Sequence, residues 1–383
     1  MPRLVALDLP PGPAFLAALR RVLDAGDAAM PLDARTTRAA RDEIVTALAP
    51  SAVVDADGEE HALPGGRAVE PGDALVVPTS GTTGTPKGVV LTRDAVESSA
   101  RATSARLGVD PRSDRWCSCL PLAHVGGLAV LTRAIVTGVD VEVLPGFDRD
   151  QVLAAARERA ATLVSLVPTT LRRLGDDGAA SFRRIVLGGS APPDRVAPHV
   201  AVTYGMTESG SGVVYDGVAL DGVEVRISAR GEIELRGPML LRAYRDGTDP
   251  KQADGWYATG DAGRIARDGR LEVHGRLREL IVSGGENVWP EHVESILRAL
   301  PGVRDVGVAG AADPEWGERV VAYVVPADRD APPTLDALRA AVREAIGPWA
   351  APRELVLADA LPRTAIGKLR RGALGGRGRG AAR

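Results

Sequence analysis

The sequence predicts an α/β protein in which a large layered N-terminal domain is followed by a small α+β domain. From residue 74 to about 200, short apolar runs typical of buried strands alternate with segments of helical periodicity. After about residue 275 the pattern changes to one helix, two strands and a second helix. We therefore expect an N-terminal domain over residues 1–275, a C-terminal domain over 276–372, and a disordered Gly/Arg-rich tail over 373–383.

Individual elements follow from apolar spacing and from residues favoured at helix starts. Residues 1–70 predict one helix, over 15–23, and otherwise loops and short apolar runs. Thr92, Pro290 and Thr334 each stand where a helix is expected to begin. The other helices are expected over 93–107, 151–159, 290–300 and 335–346. Strands are expected over 74–77, 89–91, 139–144, 162–167, 184–187, 223–227, 232–235, 271–273, 303–308 and 319–325.

Composition excludes several classes of protein. The chain has 47 basic and 50 acidic residues, a net charge of −3, and few aromatic residues. Nucleic-acid and membrane-surface proteins usually carry a basic excess, so neither kind of partner is expected. We find neither an apolar run of about 18 residues nor the apolar core of a signal peptide. Two cysteines, Cys117 and Cys119, cannot build a disulfide framework, so we expect a cytoplasmic protein.

Lysine is rare in this chain, which makes its positions informative. Only Lys87, Lys251 and Lys368 among the 47 basic residues are lysine. A lysine retained against such a bias indicates a place where a compact ammonium is needed and a guanidinium does not fit. Lys87 and Lys368 stand in the glycine-containing segments TPKG and IGK, so we expect functional roles for both. For Lys251, chance is the simpler explanation.

Residues 79–88, TSGTTGTPKG, have the composition of an anion-binding loop between two predicted strands. Glycines let backbone N–H groups turn inward, hydroxyl groups add donors, and Lys87 adds a point charge. The segment is not a Walker A loop, because Gly88 rather than Ser or Thr follows the lysine. The alternative is a polar hairpin loop, but the density of hydroxyl groups beside a retained lysine favours phosphate binding.

Five motifs in one order resemble the adenylate-forming superfamily of acyl- and aryl-CoA synthetases, adenylation domains and beetle luciferases. Residues 79–88 resemble its signature loop. Four further segments resemble the family's later motifs in the same order. They are YGMTE at 204–208, GWYATGD at 255–261, GR at 275–276 with SGGEN at 283–287, and LPRTAIGK at 361–368. One such motif is weak, whereas five in order are specific. The resemblance implies a large adenylate-forming N-terminal domain and a mobile C-terminal lid domain.

By this resemblance the chain joins a carboxylic acid to coenzyme A in two steps. The acid displaces pyrophosphate from ATP to give acyl-AMP, and the thiol of CoA then displaces AMP. ATP, Mg²⁺ and CoA would be co-substrates, with no tightly bound cofactor and with Glu208 as the metal ligand. Lys87, Thr207, Glu208 and Lys368 would be catalytic. The nucleotide-binding residues would be Thr79, Ser80, Gly81, Thr82, Thr83, Gly84, Lys87, Gly189, Ser190, Tyr204, Gly205, Met206, Thr207, Asp261 and Arg276.

The resemblance also implies that the C-terminal domain rotates between the two steps. That rotation would withdraw Lys368 and present Ser283, Gly284 and Gly285 to the thiol. The hinge corresponds to Arg278, where the family most often has Asp or Lys. Arginine at this position agrees with the general preference of this chain for arginine.

The acid-binding residues implied by the resemblance are His124, Gly188, Ser190 and Ser211. His124 lies in PLAHVGG at 121–127, where the family builds its acyl-pocket wall; the alternative is a buried core histidine. The compact N-terminal end and the residues after Glu208 resemble the o-succinylbenzoate–CoA ligases of menaquinone biosynthesis. We therefore expect a small aryl or short-chain acid as substrate rather than a fatty acid.

Other functions remain open at this point. The chain could be a CoA ligase for another small carboxylic acid, an adenylation module that loads a carrier protein, or a non-catalytic nucleotide-binding relative. The sequence has no carrier-like domain, and it retains Lys87, Glu208, Asp261 and Lys368, which argues against the last two functions. A homodimer is also open. Cys117 and Cys119 lack a partner set at a structural-zinc spacing.

Overall fold

The computed structural model describes residues 1–80, 86–193, 195–363 and 369–375 of the chain. In these ranges the helices are α1 Pro13–Asp24, α2 Arg38–Leu48, α3 Arg93–Leu107, α4 Val125–Thr137, α5 Arg149–Glu158, α6 Pro168–Leu174, α7 Asp176–Ala179, α8 Pro290–Arg298 and α9 Leu335–Ala345. Short 3₁₀ turns cover Thr207–Ser209, Leu277–Glu279 and Arg371–Ala373. Every helix in the described ranges is too short or too polar to span a lipid bilayer.

The strands of the N-terminal half are β1 Leu4–Leu7, β2 Ala28–Pro31, β3 Ala52–Val54, β4 Glu60–Ala62, β5 Asp73–Ser80, β6 Pro86–Thr92, β7 Arg115–Ser118, β8 Asp140–Val143, β9 Leu163–Leu166, β10 Arg184–Leu187 and β11 Val200–Met206. Those that follow are β12 Ser211–Tyr215, β13 Val218–Ala219, β14 Glu224–Ile227, β15 Glu232–Arg236, β16 Ala243–Tyr244, β17 Tyr257–Ile265, β18 Leu271–Arg276, β19 Ile281–Ser283, β20 Glu286–Val288, β21 Val303–Asp313, β22 Gly317–Pro326 and β23 Glu354–Leu357.

These strands form four sheets. The first has the order β16-β6-β5-β2-β1-β3-β4, and the second has the order β13-β12-β11-β10-β9-β7-β8. The third has the order β14-β15-β17-β18, and the fourth has the order β20-β19-β22-β21, with β23 paired to β22. In the second sheet β8, β7, β9, β10 and β11 are parallel neighbours, so their carboxyl ends meet at one edge, the usual ligand-binding edge of such sheets.

Each of the larger sheets packs its apolar face against helices. In the first sheet, Met30 and Val76 pack with Leu48 of α2. In the second, both cysteines pack with Val152 of α5. In the fourth, strands β21 and β22 bury their apolar residues against Leu297 of α8 and against Leu338 and Val342 of α9. These layers confirm the predicted α/β fold class.

Backbone packing divides the chain into two compact units. Unit one comprises Met1–Arg226 and Glu234–Ala258, and unit two comprises Ile227–Ile233 and Thr259–Arg383. A packing unit need not be the segment that folds or moves as one body, so the predicted boundary between residues 275 and 276 stays a prediction. Leu374, inside the predicted tail, is buried, and residues 376–383 lie outside the described ranges.

Predicted helix starts are confirmed by their capping contacts. The Thr92 hydroxyl accepts a hydrogen bond from the amide of Ala95 at 3.1 Å, and the Thr334 hydroxyl accepts one from Ala337 at 3.2 Å. Each bond satisfies an amide that the first helical turn leaves unpaired. Helix α8 begins at Pro290 as predicted but ends at Arg298, two residues before Leu300.

Several elements were not predicted, among them α2, α6, α7, β7 and β11, and two regions show the cause most clearly. Residues 1–70 contribute β1 to β4 to the first sheet, where only loops and apolar runs were expected beside the helix. Helix α4 was not predicted, although its residues 127–134 are all buried. A helix buried on every side has no polar face, and so it lacks the periodic pattern that identifies surface helices.

Candidate active site

Strands β5 and β6 hold the two ends of the predicted phosphate loop. They pair antiparallel, with Thr79 opposite Lys87 and Ser80 opposite Pro86. The Thr79 hydroxyl donates to the carbonyl oxygen of Lys87 at 3.3 Å. The predictions for Gly81, Thr82, Thr83 and Gly84 lie outside the described residues.

Tyr244 connects the two charged residues predicted to be catalytic in unit one. Its hydroxyl donates a hydrogen bond to Glu208 Oε1 at 3.0 Å, and its ring centre lies 5.0 Å from the ammonium of Lys87. Burial, together with the Glu208 carboxylate, raises the pKa of Tyr244 to about 12. Tyr244 therefore stays protonated at neutral pH and acts as the donor. Sequence reasoning missed this residue because it lies outside the recognised motifs.

The turn that carries Thr207 and Glu208 is held by Ser209, a fully buried residue. The Ser209 hydroxyl accepts from the amide of Met206 at 3.0 Å and lies 2.8 Å from the carbonyl oxygen of Ser211. The carbonyl oxygen of Glu208 accepts from the amide of Leu241 at 2.7 Å. Backbone contacts on both sides therefore fix the turn, so that its carboxylate has a defined position.

Two of the predicted nucleotide-binding glycines, Gly189 and Gly205, lie at the carboxyl ends of β10 and β11. Gly189 has a φ of +88°, in the left-handed region that favours glycine. A Cβ atom at Gly205 would lie 2.1 Å from the carbonyl oxygen of Ser211, closer than any side chain tolerates. Since β10 and β11 are parallel neighbours, Gly188, Gly189 and Ser190 follow one strand beside the strand that contains Tyr204 and Gly205.

His124 lies directly before α4, with 40% of its side chain exposed. The ring is therefore partly accessible rather than fully enclosed in the core. Its Nε2 atom lies 3.9 Å from Oδ2 of Asp33, which also pairs with Arg35 at 2.6 Å. Burial lowers the pKa of His124, and the Asp33 carboxylate opposes that shift. A neutral imidazole at this position suits contact with a partly apolar acid.

Ser211 contacts a buried arginine, Arg133, that was not among the predicted site residues. The Arg133 guanidinium donates to the Ser211 hydroxyl at 2.5 Å, and it lies 5.6 Å from the ring of Trp116. Arg133 is 2% exposed, and its Nε has no hydrogen-bond partner among the described residues. A charge inside an otherwise apolar helix was the signal that could have identified it.

In unit two, Asp261 and Arg276 form an ion pair. They are opposite each other in β17 and β18, with 2.9 Å between Arg276 Nε and Asp261 Oδ1. Arg276 also donates to the carbonyl oxygen of Thr259 at 3.0 Å, and the Thr259 hydroxyl accepts from the amide of Asp261 at 3.1 Å. Two of the residues predicted to bind the nucleotide are thus brought together by strand register.

The predicted CoA-side residues form a turn between β19 and β20 in unit two. Gly284 and Gly285 follow Ser283, which pairs with Glu286 across the turn. Ser283 is 1% exposed, so its hydroxyl points inward, and within the described ranges it has no hydrogen-bond partner. Arg278, the predicted hinge, lies in the 3₁₀ turn Leu277–Glu279. The prediction for Lys368 lies outside the described residues.

The described parts of the chain contain no cluster of three or more His, Cys, Asp or Glu side chains that could hold a metal ion. Cys117 and Cys119 are buried in the core of the second sheet, and a hydrogen bond with Cys117, added to burial, raises the pKa of Cys119. Both thiols therefore behave as small core residues.

Comparison with known proteins identifies the family. The model of the AMP-binding enzyme family matches residues 59–245, and the model of the AMP-binding enzyme C-terminal domain matches residues 292–368. A probable 2-succinylbenzoate–CoA ligase of Mycobacterium tuberculosis (strain H37Rv) is 41% identical over 334 residues, which cover 82% of this chain and 86% of that protein.

Two solved structures of o-succinylbenzoate-CoA synthetase from Bacillus subtilis have the same fold. The complex with the acyl-adenylate intermediate OSB-AMP is 28% identical, with a TM-score of 0.85, and the match covers 100% of this chain and 88% of that one. The complex with ATP and magnesium ion is also 28% identical, with a TM-score of 0.83 and coverage of 97% and 89%. These findings confirm the predictions of fold class and of an acid–CoA ligase, and the chain belongs to the AMP-binding enzyme family.

Proposed function

We propose that this protein is a 2-succinylbenzoate–CoA ligase of menaquinone biosynthesis. In the first step a carboxylate oxygen of the acid attacks the α-phosphorus of ATP and pyrophosphate leaves, giving acyl-AMP. In the second step the CoA sulfur attacks the acyl carbon, the thiol proton is released, and AMP leaves. The observation that carries the assignment is the 41% identity to the mycobacterial relative across most of both chains.

The charge arrangement in unit one supports the first step. A carboxylate and a triphosphate repel each other, so the site must supply positive charge and alignment. The ammonium of Lys87, at the end of the loop hairpin, supplies charge for the β- and γ-phosphates. Glu208 accepts one hydrogen bond from Tyr244, and a carboxylate has further acceptor sites for a hard cation such as Mg²⁺. When bound there, Mg²⁺ would neutralise phosphate charge.

Other residues bind and orient the nucleotide in this proposal. Tyr204 covers the adenine, Thr207 contacts the α-phosphate, and Asp261 accepts hydrogen bonds from the ribose hydroxyls, for which a carboxylate is suited. Arg276, paired with Asp261 at 2.9 Å, keeps that carboxylate ionised and oriented. Lys368 neutralises the charge that develops between the attacking carboxylate and the α-phosphate.

In this proposal the second step depends on residues of unit two that the family resemblance implies. Arg278 is proposed as the hinge, and the turn Ser283–Gly285 as the face that the thiol approaches. Because the Ser283 hydroxyl points inward, its contribution is the shape of the turn rather than a hydrogen bond to CoA. CoA as co-substrate and a cytoplasmic location belong to the proposal, whereas a homodimer stays open.

The acid pocket is proposed around His124, Gly188, Ser190 and Ser211. 2-Succinylbenzoate presents an aromatic ring, a ketone and two carboxylates, so it needs apolar walls and a few hydrogen-bond donors. His124 combines a partly exposed ring with a lowered pKa, and Ser211 is held by Arg133. A CoA ligase for another small aryl or short-chain acid is the second candidate, because these contacts would also suit a simpler acid.

A panel of acids in ATP–pyrophosphate exchange tests the proposal. We expect 2-succinylbenzoate to be activated with a higher kcat/KM than benzoate or short aliphatic acids, and its CoA thioester to appear when CoA is added. If another acid ranks first, the second candidate is correct. Transfer to a phosphopantetheinylated carrier protein with poor use of free CoA would instead identify a carrier-loading module. No exchange with any acid would point to a non-catalytic relative.

A further inference from the structure

A buried ionic cluster in unit two is centred on Arg371; we name Arg371, Glu279, Glu291 and Glu294 the Arg371 cluster. Arg371 Nε lies 2.9 Å from Glu279 Oε2, and its Nη2 lies 3.6 Å from Glu291 Oε1. Its Nη1 contacts Glu294 Oε1. The side chain of Arg371 is 9% exposed, so these are contacts of a buried guanidinium rather than a surface ion pair.

Two members of the cluster hold strand β21. Arg371 donates to the carbonyl oxygen of Val308 at 2.9 Å, and Glu294 accepts from the amide of Val308 at 2.7 Å. Burial raises the pKa of Glu294, and the charge of Arg371 works against that shift. The Arg371–Glu294 contact therefore compensates a buried carboxylate, which is a folding role. Glu279 is different, because its side chain is 22% exposed and the contact is not needed to neutralise it.

The two residues of the Arg371–Glu279 contact belong to segments for which functions are proposed above. Glu279 ends the turn Leu277–Glu279, which contains the proposed hinge Arg278. Arg371 stands three residues after Lys368 in the sequence. The contact therefore joins the hinge turn to the residues that directly follow the proposed catalytic lysine in the sequence.

The residues that flank the segment carrying Lys368, which we call the base of that segment, contact each other: they are Pro362 and Arg363 on one side and Leu369 and Arg370 on the other. Arg363 and Leu369 form an antiparallel bridge, and the amide of Arg370 donates to the carbonyl oxygen of Pro362 at 2.8 Å. Arg363 is tied to β21 through Asp305, with 2.7 Å between Nη2 and Oδ1. The base is thus attached to β21 through Arg363 and Arg371, and Glu279 adds an attachment to the hinge turn.

We propose that Arg371 and Glu279 are a positioning pair, which makes the hinge turn and the base of the Lys368 segment move as one body. The pair acts through Lys368 and does not itself touch substrate. It should therefore matter for acyl-AMP formation, in which Lys368 takes part, and not for thioester formation, from which Lys368 is withdrawn. The inference rests on the proposed function, since it presupposes the two half-reactions.

The test compares Glu279→Ala and Glu279→Gln with Glu354→Ala. Glu354 pairs with Arg319 at 2.8 Å in the same unit but contacts neither the hinge turn nor the Lys368 segment in the described ranges. A misplacement of about 1 Å can lower a rate about 100-fold, so we expect Glu279→Ala to slow ATP–pyrophosphate exchange about 10- to 100-fold. Glu279→Gln, which keeps an acceptor for Arg371, should lose less. Thioester formation from supplied acyl-AMP should change less than twofold in all three variants.

Hydrogen exchange of the intact protein gives a readout that does not depend on activity. Glu279→Ala should speed amide exchange about tenfold or more in peptides covering both 276–282 and 361–371, whereas Glu354→Ala should leave both unchanged. Equal losses in the two half-reactions, or faster exchange in only one peptide, would overturn the inference. A wild-type protein that activates no acid would refute the proposed function instead, while the exchange experiment would still decide whether the two segments are coupled.

Discussion

The Tyr244 hydroxyl donates a hydrogen bond to Glu208 at 3.0 Å while the ammonium of Lys87 lies 5.0 Å from the same ring. A neutral phenol thus stands between an anion and a cation, contacting both. Because the pKa of Tyr244 is raised to about 12, the phenol does not become a second negative charge near the proposed phosphate site.

Glu208→Gln should lower the rate of acyl-AMP formation about 100- to 1,000-fold, because it removes the charge proposed to hold Mg²⁺. The amide oxygen can still accept from Tyr244, so the free energy of unfolding should change little. Tyr244→Phe is the control: it should reduce stability by about 1 kcal/mol and activity much less than Glu208→Gln. Rates would be followed by ATP–pyrophosphate exchange at several Mg²⁺ concentrations. Normal ATP–pyrophosphate exchange by the E208Q variant would show that Glu208 does not bind Mg²⁺.

Lys87→Arg should be nearly as inactive as Lys87→Met, each slowed about 100-fold in acyl-AMP formation. The reason is geometric, because a guanidinium fork does not replace a compact ammonium over the Tyr244 ring and beside phosphates. Lys251→Arg is the matched substitution. The Lys251 ammonium donates to the carbonyl oxygens of Leu241 and Arg242 at 2.8 and 2.9 Å, a structural role. We expect Lys251→Arg to change the rate of acyl-AMP formation less than twofold. A Lys87→Arg enzyme with nearly wild-type activity would contradict the prediction.

Gly205→Ala should lower the free energy of unfolding by more than about 2 kcal/mol, because its Cβ would lie 2.1 Å from the Ser211 carbonyl oxygen and the strands would have to separate. Gly126→Ala serves as comparison. Its Cβ would lie 3.6 Å from Leu120, an ordinary contact in the first turn of α4, and it should be neutral or stabilising by about 0.5 kcal/mol. Urea denaturation of both variants measures the difference. Equal stability of the two variants would mean that β11 and β12 can separate at little cost in free energy.

Arg133→Met should keep the free energy of unfolding within about 1 kcal/mol of wild type or raise it, because a buried guanidinium is costly and this one contacts Ser211 and Trp116 rather than a carboxylate. The KM for the acid should rise several-fold, since Ser211 loses the group that orients it. Arg183→Met provides the contrast. It leaves the 3%-exposed Asp114 carboxylate without its guanidinium and should cost about 3 kcal/mol. Similar destabilisation by both substitutions would show that Arg133 is primarily structural.

His124 should make the folded state less stable below about pH 6.5. Burial lowers its pKa in the folded protein, whereas a histidine in the unfolded chain titrates near 6.5. Between those two values the unfolded chain binds more protons, so the free energy of unfolding falls as the pH drops. Asp33 and Arg35, the charged neighbours of His124, stay ionised throughout this interval.

The measurement is urea denaturation of wild type and His124→Gln at pH 7.5 and 5.5. The variant should lose less stability than wild type over this interval. His274, whose pKa is also lowered by burial, contributes equally to both proteins and cancels in the comparison. Identical losses would assign the pH dependence to groups other than His124.

Local features were predictable from the sequence where their cause is local. Thr92 and Thr334 cap helices because a hydroxyl one position before a helix satisfies a free amide, whatever the rest of the fold does. The phosphate-loop strands, the helix at Pro290 and the order of the five motifs are of this kind. By contrast, β1 and β2 are four-residue runs that are buried throughout, and such runs do not reveal which strands they will pair with.

Local patterns in the sequence were sufficient to predict the family and the α/β class and to name most of the candidate site residues, because glycine turns, caps and spaced charged motifs act through neighbours along the chain. Tertiary structure alone decided that Tyr244 joins Lys87 to Glu208, that Arg133 holds Ser211, and that Arg371 meets Glu279. The hydrogen-bonded pairs Tyr244–Glu208, Arg133–Ser211 and Arg371–Glu279 stand 36, 78 and 92 positions apart in the sequence. Such contacts are set by strand order and helix packing, and no periodicity or short motif encodes them.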